Sequence, residues 1–328
     1  MRKVATGLFK VASPADAQSL GGFLASLPNI LAVKDLRSLA LAIREARANK
    51  APVIAAIGGH VVKTGCSPLL KDLISRGFVT HIAMNGAAMI HDLELGLFGE
   101  TSQDVEAAVQ AGSFGNPKLG RVLQEAARLT GDYREDCEPL GEKLRIYLAC
   151  SVVPYAEHSL LALESHHVSP LYLESTTTVH LAVGADTIWN DIPPDEATAL
   201  AHRSVYDFAA IRNTILSMSG KPAVWLNIGS AQFLPEVFLK ASAWAIKEGA
   251  DLTQLTKANL DFIRAYRPGV NILSRGPGKQ SIELTGHHEI MLPLLWASIL
   301  SLDKKDLVDK PYLTDTDNEA AELYFGWR

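Results

Sequence analysis

Pro52 to Gly99 reads PVIAAIGGHVVKTGCSPLLKDLISRGFVTHIAMNGAAMIHDLELGLFG, two successive strand-turn-helix units with small residues at both strand ends. The apolar run Val53 to Ile57 has strand length and breaks at Gly58-Gly59, where the missing Cβ atoms let backbone approach another group closely. A helix is expected from Ser67-Pro68, with Leu69, Leu70, Leu73 and Ile74 at helical spacing and Arg76-Gly77 as its stop. Val79 to Met84 forms the second expected strand, and Asn85-Gly86-Ala87-Ala88 the second small turn. The helix after it carries His91, Asp92 and Glu94 close to its positive end. Ligands of open α/β sheets lie outside the carboxyl ends of the strands, so both turns are expected to face one crevice.

Working outward, strand-like runs at Val53–Ile57, Val79–Met84, Leu144–Cys150, Pro170–Leu173 and Ala223–Ile228 alternate with helix-like ones, including Ala197 to Ser217 after a proline-rich turn. The alternation predicts an α/β fold with a doubly wound, mainly parallel sheet and helices on both faces. Residues 1–328 are read as a single domain, long enough for one large core. Residues 101–141, helical in pattern but broken by glycines and Asn116-Pro117, are expected to be an insertion that covers the site or meets a neighbouring subunit. The charged stretch 303–328 is expected to be a surface arm.

With a net charge of −5 and dispersed lysines and arginines, the chain offers no basic field for nucleic acid. Cys66, Cys137 and Cys150 form no CxxC pair, which suits a reducing compartment better than a disulfide framework. No apolar run reaches spanning length, so a soluble cytoplasmic protein without membrane contact is expected.

Three motif readings are excluded or weakened. No GxGxxG follows the first strand, which disfavours an ordinary dinucleotide-binding dehydrogenase. Gly276-Pro-Gly-Lys279-Gln280 imitates a phosphate loop but lacks the Ser or Thr that would hold Mg²⁺. His166-His167 and His287-His288 point apart on either a strand or a helix and have no chelating spacing, so no metal site is expected.

Other residues are candidates for a small-molecule site. Gly59, His60, Thr64 and Gly65 in the first turn could hold cofactor phosphate or ribose, or simply punctuate the strand and helix. Glu174 and Thr178 bound a hydroxyl-rich stretch suited to hydrogen-bonding a ribose or a substrate carboxylate, with an ordinary surface loop as the alternative. His287 and His288 open a helix, a favourable place for an anion.

The segment 52–99 resembles the NAD-binding core of the deoxyhypusine synthase family. Later stretches of similar pattern are PLYLESTTTVHLAVGADTI (Pro170 to Ile188), PAVWLNIGSAQFLPEVFLKAS (Pro222 to Ser242) and TGHHEIMLPLLWASI (Thr285 to Ile299), so the resemblance spans roughly Leu39 to Leu300. NGAAMIHDLELGLFGETS also resembles the ornithine-cyclodeaminase domain of arginine-catabolising enzymes. These resemblances imply a deoxyhypusine-synthase-like NAD-binding fold, NAD as cofactor, an amine or amino acid substrate and a homotetramer. They place Asn85, Gly86, Ala87, Gly229, Ser230 and His287 against NAD. His91 falls where the synthase family carries a glutamate, and His288 lies in the last cofactor-proximal turn, which makes both catalytic candidates. The family's imine-forming lysine aligns with Ser274 without a gap and with Lys279 after a short one, and no tryptophan precedes either. The reading is an NAD-dependent enzyme acting on a C–N bond, not a true deoxyhypusine synthase. The alternatives are a catalytically silent NAD-binding or regulatory protein and an ornithine-cyclodeaminase-like deaminase.

Overall fold

The computed structural model describes residues 19–129, 137–162, 176–190 and 192–301. Six strands among them form one sheet: β1 (Val53–Ile57), β2 (His81–Asn85), β3 (Thr176–His180), β4 (Val224–Ile228), β5 (Thr256–Asp261) and β6 (Gln280–Thr285). Their order is β3-β2-β1-β4-β5-β6 and every pairing is parallel. This is the doubly wound order of the Rossmann fold, whose direction reverses between β1 and β4.

Parallel strands covered on both faces read as continuous apolar runs. β1 (VIAAI) and β4 (VWLNI) obey this and are buried throughout. β5 is equally buried but reads TKANLD, so its polar groups are answered internally. Asn259 Oδ1 accepts from Asn227 Nδ2 at 2.8 Å, and Lys257 Nζ donates to the Gly276 carbonyl at 2.5 Å.

The helices are α1 (Leu20–Ser26), α2 (Leu31–Ala48), α3 (Gly59–Lys63), α4 (Ser67–Ser75), α5 (Gly86–Phe98), α6 (Val105–Gln110), α7 (Pro117–Ala127), α8 (Leu140–Ala149), α9 (Pro194–Leu216), α10 (Phe233–Lys247) and α11 (His288–Ser301). On one face α2 packs against β1, β4, β5, β6 and α11. On the other, α9 packs against β3 and α10. The core beneath α10 includes Trp225 and Phe238, whose ring centroids lie 4.7 Å apart.

Leu144–Cys150 is not a strand. Pro139 precedes α8, and Leu140, Leu144 and Leu148 are buried while Ile146, which a strand would place on their face, is exposed, a pattern that helical spacing gives and strand alternation does not. This helix and α9 guard the β3 edge: Glu142 accepts from the Thr177 N–H at 2.6 Å and Asp207 from the Val179 N–H at 2.9 Å. Asp207 also accepts from the N–H groups of Leu140 and Gly141. Outward donors that would otherwise template pairing with another chain are thus satisfied. The expected strand 170–173 and the arm 303–328 lie outside the described residues. No helix among the described residues is long and apolar enough to cross a membrane.

Candidate functional site

All six strands deliver their carboxyl ends to one side of the sheet, and the residues there fall into two groups flanking the switch point. At that point Gly58 and Gly229 touch backbone to backbone. A Cβ on Gly58 would stand 1.9 Å from the Gly229 carbonyl oxygen, and Gly58 N–H donates to Ile228 O at 2.8 Å. Gly229 has φ +64, and a Cβ there would meet the His288 ring at 2.8 Å. The glycines at the first turn therefore serve loop-to-loop contact.

The first group lies beyond β2 and β3. A pocket of about 290 Å³ is lined by Lys63 of α3, by Ala87, Ile90, His91 and Glu94 of α5, and by Ala185–Ile188. Its outer wall is the expected insertion, which contributes Gln103, Val105, Phe114 and Leu119. Asn85 caps α5 by accepting from Ala88 N–H at 2.9 Å. Asp186 stands over Gly86, accepts from the Ala182 N–H at 2.6 Å, and is pushed above the usual carboxylate range by burial. His91 Nδ1 lies 3.1 Å from Glu94 Oε2 and 2.6 Å from Thr101 Oγ1, and Thr101 also bonds Glu94. Burial alone would raise the Glu94 carboxyl, but hydrogen bonds from His91 and Thr101 outweigh it and hold it below its ordinary value.

The second group lies beyond β1, β5 and β6. His60 begins α3 and is exposed, whereas His288 begins α11 and is fully buried. Their Nδ1 atoms are 3.0 Å apart, and His288 Nε2 lies 3.9 Å from Asp261 Oδ1 at the end of β5. Burial holds His288 below the usual imidazole range against the pull of Asp261. Phe262 packs beside all three imidazoles, with ring centroids 5.1 Å from His60, 5.9 Å from His288 and 6.4 Å from His287. Phe262, Ile263, Tyr266 and Ile290 are all exposed.

The structure thus brings His60, Asn85, Gly86, Ala87, His91, Gly229, His287 and His288 to the crevice side. Thr64 and Gly65 lie past the end of α3, where the Thr64 hydroxyl donates to the carbonyls of His60 and Val61. Gly59 packs its α-carbon against Ala87 and His91, and Ser230 is buried, with its hydroxyl accepting from Leu234 N–H. Gly86 faces Asp186 instead of open space.

Two residues expected in the site are elsewhere. Thr178 is fully buried in β3, its hydroxyl 2.9 Å from His81 Nε2 and 3.0 Å from His180 Nε2. Lys279 precedes β6, at the amino ends of the strands, with Nζ 3.5 Å from Glu45 Oε2 on α2. Six residues of strand separate it from the crevice, about 20 Å. Glu174 lies outside the described residues, as do His166 and His167. No group of three or more His, Cys, Asp or Glu residues among the described ones could hold a metal ion.

Sequence reasoning missed Asp186, Asp261 and Phe262. Asp186 follows a strand whose end was placed too early, and Asp261 ends the polar strand β5.

Residues 37–115 match the family model described as arginine dihydrolase ArgZ-like, C-terminal, Rossmann fold. The match begins in α2 and runs through β1 and β2 to the outer wall of the pocket. A comparison with curated proteins returns no match. Among solved structures, the chain is similar to ArgZ, an arginine dihydrolase from the ornithine-ammonia cycle in cyanobacteria, at 12% identity over 84% of this chain and 34% of that one, TM-score 0.46. It is also similar to a conserved putative LOR/SDH protein from Methanococcus maripaludis S2, at 14% identity over 82% and 70% of the two chains, TM-score 0.49. A ternary complex of AgrE with ornithine and NAD⁺ matches at 15% identity over 80% of this chain and 32% of that one, TM-score 0.46. The chain therefore spans about a third of the length of ArgZ and of AgrE.

Proposed function

We propose that the chain is an NAD-dependent enzyme acting on the C–N bond of an amino acid, of the ornithine-cyclodeaminase-like kind. The observation that carries this is the match of residues 37–115 to an ArgZ-like Rossmann domain, because those residues supply most of the pocket beyond β2. The chemistry of the crevice fits a dinucleotide laid across the switch point. Ile90, Val105, Leu119 and Ile188 offer an apolar seat for a base, Asp186 an acceptor for ribose hydroxyls, and Lys63 a cation for phosphate. Across the switch point, His60 and Phe262 would face the reacting half, with His288 buried behind His60. When bound, NAD would supply the hydride acceptor.

A synthase-like imine transfer would need a neutral lysine in the crevice, and Lys279 stands at the opposite end of the sheet. That placement takes away the lysine the resemblance offered for imine transfer, and the pocket's Lys63 is the cation read here for phosphate, which favours deamination over transfer. The test is calorimetric titration with NAD⁺ and NADP⁺, followed by ammonia release from L-ornithine. Binding with release supports the reading; NAD binding without turnover of any diamino acid would favour the silent NAD-binding protein. No binding of either nucleotide would remove both. Asp186→Ala is expected to weaken NAD binding at least tenfold, about 1.4 kcal/mol.

A further inference from the structure

We propose that His60 is the general base of this site, its Nε2 lone pair set by a relay that runs through His288 to Asp261. The assignment follows from which atoms can donate. His288 is fully buried, and its Nε2 faces the Asp261 carboxylate at 3.9 Å. Nε2 has no hydrogen-bond partner among the described residues, and the carboxylate it faces at 3.9 Å can only accept, so the electrostatics place the proton of the neutral His288 ring on Nε2. Its Nδ1 then carries a lone pair. His60 Nδ1, 3.0 Å away, must donate to it. A neutral His60 bonded in this way has its lone pair on Nε2, the nitrogen away from His288, on an exposed ring.

The surroundings reinforce this order. Burial keeps His288 neutral, and its place at the start of α11 adds the positive end of the helix. A Cβ on Gly229 would collide with the ring, so the bare glycine is what lets His288 lie against the β4 turn. Other titratable groups around the pair are Asp261 on β5, His287 and Glu289 at the start of α11, and Lys63 one turn along α3.

The role rests on the proposed function and deepens it. An N–H bond of the substrate ammonium breaks, its proton passes to His60 Nε2, and the electron pair stays on nitrogen as an amine lone pair. The His60 imidazolium then shares its Nδ1 proton with His288, whose own positive charge would face Asp261. His60 touches the substrate, whereas His288 and Asp261 position and poise it.

The test uses the intact chain. Ring ¹⁵N spectra, assigned with single variants, should show His60 as the Nδ1–H tautomer and His288 as the Nε2–H tautomer. His60 found as the Nε2–H tautomer overturns the relay whatever the enzyme does. Diethyl pyrocarbonate should acylate His60 faster than other exposed imidazoles in the free protein, and a His60 no faster than His158 counts against it. With ornithine and NAD⁺, His60→Gln should lower kcat at least a hundredfold while the NAD Kd stays within threefold. Asp261→Asn should move the acid limb of kcat/KM to lower pH, because the carboxylate favours the protonated pair. An unmoved limb would make Asp261 merely structural. If NAD fails to bind wild type, the function falls, and the tautomers alone decide the relay.

Discussion

The carboxylate of Asp186 occupies the space that a Cβ on Gly86 would need, its Cγ lying 2.2 Å from that position. Gly86→Ala must therefore push Asp186 away and break its bond to the Ala182 N–H. We expect a loss of about 2 kcal/mol, read as a lower urea midpoint. In the double variant Gly86→Ala, Asp186→Ala the loss should be smaller than the sum of the two singles, because both act on one contact. Additive losses would show that Asp186 does not sit over Gly86.

A second expectation concerns acid stability. Thr214 donates its hydroxyl to Ala210 O, so His81 Nδ1–H must be the donor in their 3.0 Å bond. His81 Nε2 then accepts from Thr178, whose oxygen accepts from His180 Nε2–H. This chain needs both rings neutral, and burial drives each from 6.5 to about 3. Between those values the unfolded chain binds more protons than the folded one, so this contribution is full above pH 6.5 and is lost as pH falls towards 3. His180→Gln should lose less stability between pH 7 and pH 4.5 than wild type does, in urea titrations. Equal losses would place the acid sensitivity elsewhere.

Asp207 should act on the other limb. Burial raises its carboxyl from 3.8 to about 8, so its contribution is full below pH 3.8 and is lost as pH rises through 8. Asp207→Asn is expected to be less stable than wild type at every pH, since one amide nitrogen would replace an oxygen that accepts from a backbone N–H of α8 or β3. Its stability should nevertheless fall less than that of wild type between pH 6 and pH 9. A parallel fall would count against the raised carboxyl.

Lys279→Ala should leave NAD binding and turnover unchanged. Among the described residues the side chain pairs with Glu45 across 3.5 Å at a partly exposed site, so stability should change by no more than about 0.5 kcal/mol. A borohydride-trapped adduct on Lys279 would contradict its placement at the amino ends of the strands.

We further propose an oligomer, for which the exposed Phe262, Ile263, Tyr266 and Ile290 offer apolar side chains on the crevice side. Light scattering at micromolar concentration should give a multiple of 35.4 kDa. A monomer mass, unchanged by Tyr266→Ser, would remove the proposal.

The parts of this fold legible in the sequence are those where burial and composition agree. β1 and β4 lie at the centre of the sheet and contain almost only apolar side chains, so their length and ends could be read directly. β5 occupies an equally buried place, yet its lysine and its asparagine find partners in a turn and a strand far away in sequence. No local pattern can announce such bonds, and Asp261 was missed with the strand that carries it. β6 is an edge strand with an alternating polar pattern, faint over six residues. LRIYLAC misled in the opposite direction: its β-branched and aromatic residues favour a strand, and what marks the helix, an exposed Ile146 between buried Leu144 and Leu148, is visible only in the folded chain. Of the site, residues at strand ends could be placed on the crevice side, as His60, Asn85 and His288 were. Which of them touch one another depends on α3 meeting α11 across the switch point, a contact between residues 228 apart in sequence.

The contact of Gly58 with Gly229 also limits how this scaffold could be re-engineered. A longer glycine-rich fingerprint loop grafted after β1 would have to pass through space already filled by the β4 turn. Ejecting Gly229 would free His288 from the surface it rests on, so acquiring the common cofactor loop would dismantle the imidazole pair. In this chain the two solutions are mutually exclusive.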